Sequence, residues 1–445
     1  MHPPNSDASV SSMPLSRVLL QAARVSLAVR SGQSLTAALE NACPDPSASL
    51  MRAAVQDLSY HTQRNRGRAD ALLGEFAVRK IAPPLLRELL VVALAVLDEP
   101  GPAGVGEPGR YPPFTLVDQA VDAAQATPEI RHAKDFVNAI LRSALRETRR
   151  AQAAAPAEEA VVMNYPPWWV RRVRDAYPES WKAILATGQT PPPLTLRVNQ
   201  LRVGVAAYLG RLRQVGVVAE QIGPLAVRLA RPMPVHAIPG FGEGLVSVQD
   251  EAAQRAAPLM DLSSGMRVLD ACAAPGGKTC HILENASVDV SALDIEPSRL
   301  ARIRENLERL NLEATLVLGD AAHPEQWWDG VPYQRVLADL PCSASGIVRR
   351  HPDIRWLRRD SDIATLSGLQ QHILDALWRV VAPDGKLLIV TCSIFPEEGQ
   401  FLARDFAMRH RDAAPRSAWG QLLPTVGPAT DHDGLFFALF DKIAR

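Results

Sequence analysis

Asp270-Ala-Cys-Ala-Ala-Pro-Gly-Gly-Lys-Thr279 is the stretch that decides the fold. It follows Arg267-Val-Leu-Asp270, which reads as a buried strand, and runs into a segment with helical spacing. A strand, a glycine turn and a helix open a parallel α/β sheet, whose ligands sit at the carboxyl ends of the strands. Two phosphate-binding fingerprints fail here. A P-loop ending in Gly277-Lys278-Thr279 needs a glycine at 272, where a cysteine stands, and G-x-G-x-x-G is absent. The glycines still allow close backbone approach to a ligand. That ligand need not carry phosphate.

Working outward, the same rhythm continues. Val288–Ile295, Ala314–Leu318, Arg335–Asp339 and Lys386–Thr391 read as further strands, with helices expected over Pro297–Leu310 and Ser361–Val381. Asp294 closes the second strand, 24 residues after Asp270, where an acid can accept from ribose hydroxyls. Asp320 closes the third, placed for an exocyclic amine of an adenine. Singly, such acids are usually caps or turn residues. At successive strand ends they point to a nucleoside, and S-adenosylmethionine is a nucleoside without phosphate.

The next two strands end on cysteines, in Asp339-Leu-Pro-Cys342 and Thr391-Cys392-Ser393. A lone cysteine is usually a small buried hydrophobe; two on the ligand edge suggest chemistry. A thiolate added at carbon 6 of a pyrimidine makes carbon 5 nucleophilic enough to take a methyl group from a sulfonium. A carboxyl group near the base edge can stabilise charge at ring nitrogen 3. These residues alone do not rank the two cysteines.

Upstream, 14–150 has helical periodicity, with examples at Ser16–Arg30, Ser34–Ala42, Ala48–Asn65, Pro84–Leu97, Thr115–Ala126 and Ile130–Arg149. Residues 1–13 read as a loose tail, Glu99–Pro113 as a Gly/Pro loop and Ala151–Ala160 as a linker. Residues 161–245 read as a small α+β module, with strands at Leu194–Asn199 and Ala226–Leu229 and a helix at Val205–Val215. The expected organisation is an all-α domain, this module, and an α/β Rossmann-like domain over 246–445 with a mostly parallel seven-stranded sheet.

The 445 residues carry 48 Lys+Arg and 48 Asp+Glu, and 47% are hydrophobic, which excludes wholesale disorder. The longest apolar run, Leu89–Leu97, is far short of a membrane span. The N-terminus has no signal-peptide pattern, and the five cysteines form no CxxC, so a reducing, cytoplasmic setting without a structural metal is expected. Charge is uneven. Residues 161–240 hold 10 basic and 3 acidic residues, while 241–445 hold 21 and 28, which suggests a polyanion surface beside the catalytic region. Arg349-Arg-His-Pro-Asp-Ile-Arg-Trp-Leu-Arg-Arg359 reads as a phosphate grip or a solvated helix face. Tyr165–Trp169 reads as a packing anchor.

The motifs resemble the RNA 5-methylcytosine methyltransferases, and among them the bacterial small-subunit ribosomal RNA methyltransferase B family, also called Fmu or Sun. Asp270–Lys278, Asp294, Asp320, Asp339-Leu-Pro-Cys342-Ser-Ala-Ser-Gly346, Thr391-Cys392-Ser393 and the entry Val248-Gln-Asp-Glu251 carry the likeness, and His132–Arg142 resembles its NusB-like helical RNA-binding domain. The resemblance implies S-adenosylmethionine contacts at Cys272, Ala273, Ala274, Pro275, Gly276, Gly277, Lys278, Asp294, Asp320 and Asp339. It implies Cys392 as the nucleophile, Cys342 in product release and Asp339 in the reaction centre. The implied substrate is a cytosine of 16S ribosomal RNA, naked or early in assembly, with no membrane and no obligate protein partner. The alternatives are a transfer RNA cytosine methyltransferase and a non-catalytic assembly factor on the same fold. One departure is Leu340, where the family commonly has alanine.

Overall fold

Leu89–Val96 is buried because it forms the middle of a helical unit. The computed structural model describes residues 14–44, 49–77, 79–97, 111–151, 159–427 and 430–444. The expected tail 1–13, most of the Gly/Pro loop and most of the linker lie outside these residues. Helices α1 (Leu15–Arg30), α2 (Leu35–Ala42), α3 (Ser49–Phe76), α4 (Pro84–Leu97), α5 (Pro113–Ala126), α6 (Lys134–Ala151) and α7 (Glu159–Met163) follow the expected order. On α4 every residue from Leu89 to Leu94 has no solvent exposure, so α1, α3 and α5 wrap it on all sides. Within this apolar shell Glu88 is also fully buried, and it accepts hydrogen bonds from Ser26, Arg30, Arg66 and Arg87.

Helix α3 runs eleven residues past the expected Asn65. The polar run there looks like a helix end, but Arg66 turns inward to Glu88 at 3.1 Å. Gly67 is closely packed: a Cβ would press on Asn164 and Trp356, each 3.2 Å away. Trp356 belongs to a seven-residue excursion. The helical unit comprises residues 1–170 together with 351–357, and the second unit 171–350 with 358–445. Within the excursion Asp353 accepts from the Leu35 amide at 2.8 Å, Trp356 donates to the Gln63 carbonyl at 2.8 Å, and Arg355 has no exposure. The Arg355 guanidinium donates to the Asn164 carbonyl and lies 4.1 Å over the Tyr165 ring. Tyr165 and Trp169 are buried, as a packing anchor should be.

The arginine row is therefore neither a phosphate grip nor a solvated face. Arg349 pairs with Asp431 and Asp433, Arg350 with Asp250 and Asp433, and Arg358 donates to the carbonyls of Cys342 and Ser343. Four of its five arginines are engaged inside the protein.

In the second unit, α8 (Pro167–Ala176, begun in the helical unit) and α9 (Trp181–Thr187) lead to an antiparallel sheet. Its strands are β1 (Leu194–Val198), β2 (Ala219–Gln221), β3 (Ala226–Leu229) and β4 (Val246–Val248), in the order β2-β3-β1-β4, with α10 (Val205–Gln214) alongside. Part of the module's basic charge is paired: Arg197 with Glu284 and Arg228 with Asp431 beyond it, and Arg211 with Glu243 within it.

After α11 (Glu251–Gln254) and α12 (Ala256–Leu259) comes the large sheet. Strands β5 (Arg267–Ala271), β6 (Asp289–Asp294), β7 (Thr315–Leu318), β8 (Tyr333–Asp339) and β9 (Val381–Thr391) are parallel. Strands β10 (Ala413–Leu422) and β11 (Leu435–Lys442) extend it antiparallel, giving β10-β11-β9-β8-β5-β6-β7. The order reverses between β5 and β8, which opens a crevice at their carboxyl ends. Helices α13 (Gly277–Asn285), α14 (Pro297–Leu310), α15 (the Ile354–Leu357 turn of the excursion), α16 (Asp360–Val380) and α17 (Gln400–Arg409) complete the chain.

Arg355→Ala should lower the stability of the helical unit by about 2–4 kcal/mol, from the cavity and the lost hydrogen bond. Hydrogen exchange should show α3 amides opening sooner while those of β5 and β8 keep their protection. Equal loosening of both units would contradict the excursion's assignment to the helical unit.

Candidate active site

The β5 turn is built by its own glycines and neighbours. Gly276 has φ +93° and caps α13, and a Cβ on it would meet Ile303 at 3.0 Å. The Ala274 amide donates to Asp294 Oδ2 at 3.1 Å, which ties the turn to the end of β6. Asn306 holds the Pro275 carbonyl, and Arg197 of β1 holds the Gly277 carbonyl at 2.9 Å. Arg197 and Glu284 of α13 form an ion pair with almost no exposure, so the module braces the turn from behind.

A cavity of about 390 Å³ lies over the crevice. Of the sequence-derived residues, Cys272, Ala274, Asp294, Asp320, Asp339, Cys342 and Cys392 line it. Ala273, Pro275, Gly276, Gly277 and Lys278 do not; the first four shape the turn, and Lys278 pairs with Asp339 at 2.6 Å. Burial works against charge on Lys278, but Asp339 outweighs it and the ammonium is held above its usual range. Burial pushes the Cys272 thiol up to about 12, so this cysteine is an uncharged wall of the cavity. Gly319 is needed beside Asp320, because a Cβ there would lie 2.7 Å from the Trp327 ring.

A nucleoside sulfonium fits this lining. Asp294 and Asp320 stand at the ends of neighbouring strands, while Leu369 and Ile373 of α16 add an apolar wall. Among the described residues no cluster of three or more His, Cys, Asp or Glu can hold a metal ion, and no helix is long and apolar enough to cross a membrane. Leu340 is buried, packs into the sheet's core and lines the same cavity, so the larger side chain is accommodated.

The two cysteines meet. Strands β8 and β9 are adjacent and parallel, and Cys342 Sγ lies 3.4 Å from Cys392 Sγ. The Cys342 thiol is pushed well above its usual range by that contact, by burial and by Glu398. Sequence reasoning missed what holds the pair. Glu398, fully buried in a turn after β9, accepts from the Ser343 amide at 2.8 Å, Ser343 Oγ at 2.5 Å and Ser393 Oγ at 2.6 Å. Gln370 donates to the Glu398 carboxylate as well, and the Glu398 backbone carbonyl accepts from the Thr391 hydroxyl. Each of these serines directly follows a cysteine, but nothing in the sequence ties them to Glu398. Arg358, misread as part of a phosphate grip, holds the Cys342 loop from the other side.

Residues 257–440 match the family described as 16S rRNA methyltransferase RsmB/F, and residues 165–236 match the RsmF/B-like ferredoxin-like domain. A relative named ribosomal RNA small subunit methyltransferase B, from Pseudomonas putida, is 39% identical and covers 96% of this chain and 98% of its own. The chain belongs to the ribosomal RNA small subunit methyltransferase B family. A Klebsiella pneumoniae member is 43% identical over 75% of this chain and 78% of its own. The fold is shared with the crystal structure of PH0851, at TM-score 0.76 and 24% identity over 95% of this chain and 99% of that one. Family membership accounts for the Rossmann-like sheet and for the ferredoxin-like module set against it.

Two tests follow from the geometry. Glu398→Ala leaves the Ser343 amide and two hydroxyls without an acceptor in a dry site, and should cost about 2–4 kcal/mol in urea unfolding. Glu398→Gln, which keeps one acceptor oxygen, should lose less; equal losses would contradict this account. Asp270 is fully buried, and burial lifts its carboxyl to about 7, although Thr279 donates to it at 2.6 Å. The folded state thus keeps this proton while an unfolded aspartate, near 3.9, loses it. Stability should fall as pH rises from about 4 to 7, by at most about 1.4 kcal/mol per pH unit. Asp270→Asn should remove that component, and urea midpoints that run parallel for both proteins across the window would refute it.

Proposed function

We propose that this protein transfers the methyl group of S-adenosylmethionine to carbon 5 of a cytosine in 16S ribosomal RNA, naked or early in assembly, in the cytoplasm and without an obligate protein partner. The observation that carries the reading is the pair of thiols 3.4 Å apart on the wall of the cavity that Asp294 and Asp320 line. S-adenosylmethionine supplies an electrophilic methyl on a sulfonium. Asp294 accepts from its ribose hydroxyls and Asp320 from its adenine amine, and Cys272 and Ala274 face it.

Cys392 is the nucleophile. The raised Cys342 thiol keeps its proton, so it can donate a hydrogen bond to an ionised Cys392, and the Lys278 ammonium also attracts negative charge there. The thiolate adds to carbon 6 and the C5=C6 pair becomes available at carbon 5. Asp339 lines the cavity with the Lys278 ammonium 2.6 Å behind it, so negative charge developing at ring nitrogen 3 is drawn toward that ammonium. Carbon 5 takes the methyl group and the sulfonium leaves as a neutral thioether. Once Cys392 is bonded to carbon 6 it carries no charge, and its hold on the Cys342 proton weakens. Cys342 then gives its own proton to water and, as a thiolate, takes the carbon 5 proton; the S–C6 bond breaks, and the C5=C6 double bond returns with Cys392 as the leaving thiolate.

Cys392→Ser should bind cofactor and RNA, transfer no methyl and form no adduct, because a hydroxyl stays protonated without a base beside it. Cys342→Ser should attack and methylate, then stall as a covalent protein–RNA complex that survives denaturing gels and accumulates with time. The opposite pattern, with an adduct in Cys392→Ser alone, would exchange the two roles. Bisulfite sequencing of ribosomal and transfer RNA from cells lacking the protein tests the substrate: a lost mark in transfer RNA alone would overturn the ribosomal reading.

A further inference from the structure

We propose that the helical unit carries a preformed phosphodiester-binding groove between the C-terminal end of α1, the C-terminal part of α3 and the N-terminal end of α4. The inference rests on the RNA substrate proposed above and locates one place where the backbone is held. The groove has a volume of about 560 Å³. Four cations line it, Arg30, Arg79, Lys80 and Arg87, against one carboxylate, Asp70. Behind it stand the buried Arg66 and Glu88. Arg30, Arg66 and Arg87 converge on Glu88 at 2.9, 3.1 and 3.2 Å, and Arg87 also reaches Asp70 at 3.0 Å. Two carboxylates therefore serve three guanidinium groups, so the cluster keeps surplus positive charge before Arg79 and Lys80 are counted.

Arg79 and Lys80 are exposed, and among the described residues neither has an ion-pair partner. The buried carboxylate does more than neutralise. It fixes Arg30 and Arg87 by one end, so little side-chain freedom is lost when a phosphate arrives, and a guanidinium offers paired donors to phosphate oxygens. Arg79 and Lys80 add mobile cations at the rim, which displace counterions from the backbone. None of the groove's lining residues is aromatic, so no base can stack there, and the four cations meet the backbone phosphates.

The test uses the full-length protein, a small-subunit ribosomal RNA fragment and an Arg79→Ala/Lys80→Ala double variant. Both positions are exposed and outside the Glu88 cluster, so folding should be kept. S-adenosylmethionine affinity and kcat should be unchanged while KM for RNA rises. The slope of log affinity against log salt should become shallower by about 1.4, two contacts at about 0.7 each on single strands. An Arg17→Ala/Arg24→Ala variant removes the same charge from exposed positions on α1 outside the groove and should change the slope less. An unchanged slope for the groove variant, or an equal change for both variants, overturns the groove. Inorganic phosphate is titrated alone as a second arm: saturable binding lost in the groove variant, with RNA affinity intact, would make it a free-phosphate site and also overturn the proposal. Failure of the wild-type protein to bind or methylate the RNA would instead overturn the ribosomal reading itself.

Discussion

A buried carboxylate with no ion-pair partner among the described residues holds the two cysteine loops together. Strands β8 and β9 are hydrogen-bonded neighbours, but past their ends the chain departs in two directions, into the Ser345–Ile347 turn and into the Pro396–Glu398 turn. Nothing in a parallel ladder keeps two such loops together. Glu398 does so by taking donors from both, Ser343 from one and Ser393 from the other. Ser345 closes the ring, 2.9 Å from Ser393, and the Gly346 amide donates to the Cys392 carbonyl. A carboxylate in a dry site is tolerable only when its oxygens are fully bonded, and here the donors are the residues that must be positioned. Its charge has a second effect, since it helps to keep the proton on Cys342.

The turn after β5 is fixed on a similar principle from another direction. Arg197 lies on a strand of the ferredoxin-like module, yet its guanidinium is bound by Glu284 and Gln249 and donates to the Gly277 carbonyl. A buried pair of this kind adds little net stability but is costly to break, so it specifies one arrangement of the elements it joins. The module and the methyltransferase sheet accordingly fall in one unit rather than two.

The sequence carried the elements whose signals are local. Helices α4 and α14, strand β3 and the parallel strands were legible because their apolar period, or a continuous apolar run, is written in consecutive residues. The cysteines and the strand-end acids were legible because a parallel sheet sends all such ends to one edge. The antiparallel pair β10–β11 was less legible, since Leu435-Phe-Phe-Ala-Leu-Phe440 resembles any buried segment until its partner is known. Glu398 was illegible for a different reason. Pro396-Glu-Glu-Gly399 looks like an exposed acidic turn, and only the fold brings Ser343, 55 residues away, to the carboxylate.

Charge was the least reliable guide, because a side chain's charge says nothing about where its partner lies. The basic window at 161–240 and the acidic remainder looked like two faces of one surface. In the fold, part of that contrast cancels internally through Arg197–Glu284, Arg211–Glu243 and Arg228–Asp431. The row Arg349–Arg359 went the same way, its first two arginines spent on Asp250, Asp431 and Asp433. What distinguishes a binding cation is therefore not its neighbours in sequence but an unmatched count of partners in space. By that measure the helical unit retains surplus charge around Glu88, while Arg349, Arg350 and Arg358 of the conspicuous row are engaged within the second unit and Arg355 within the helical one.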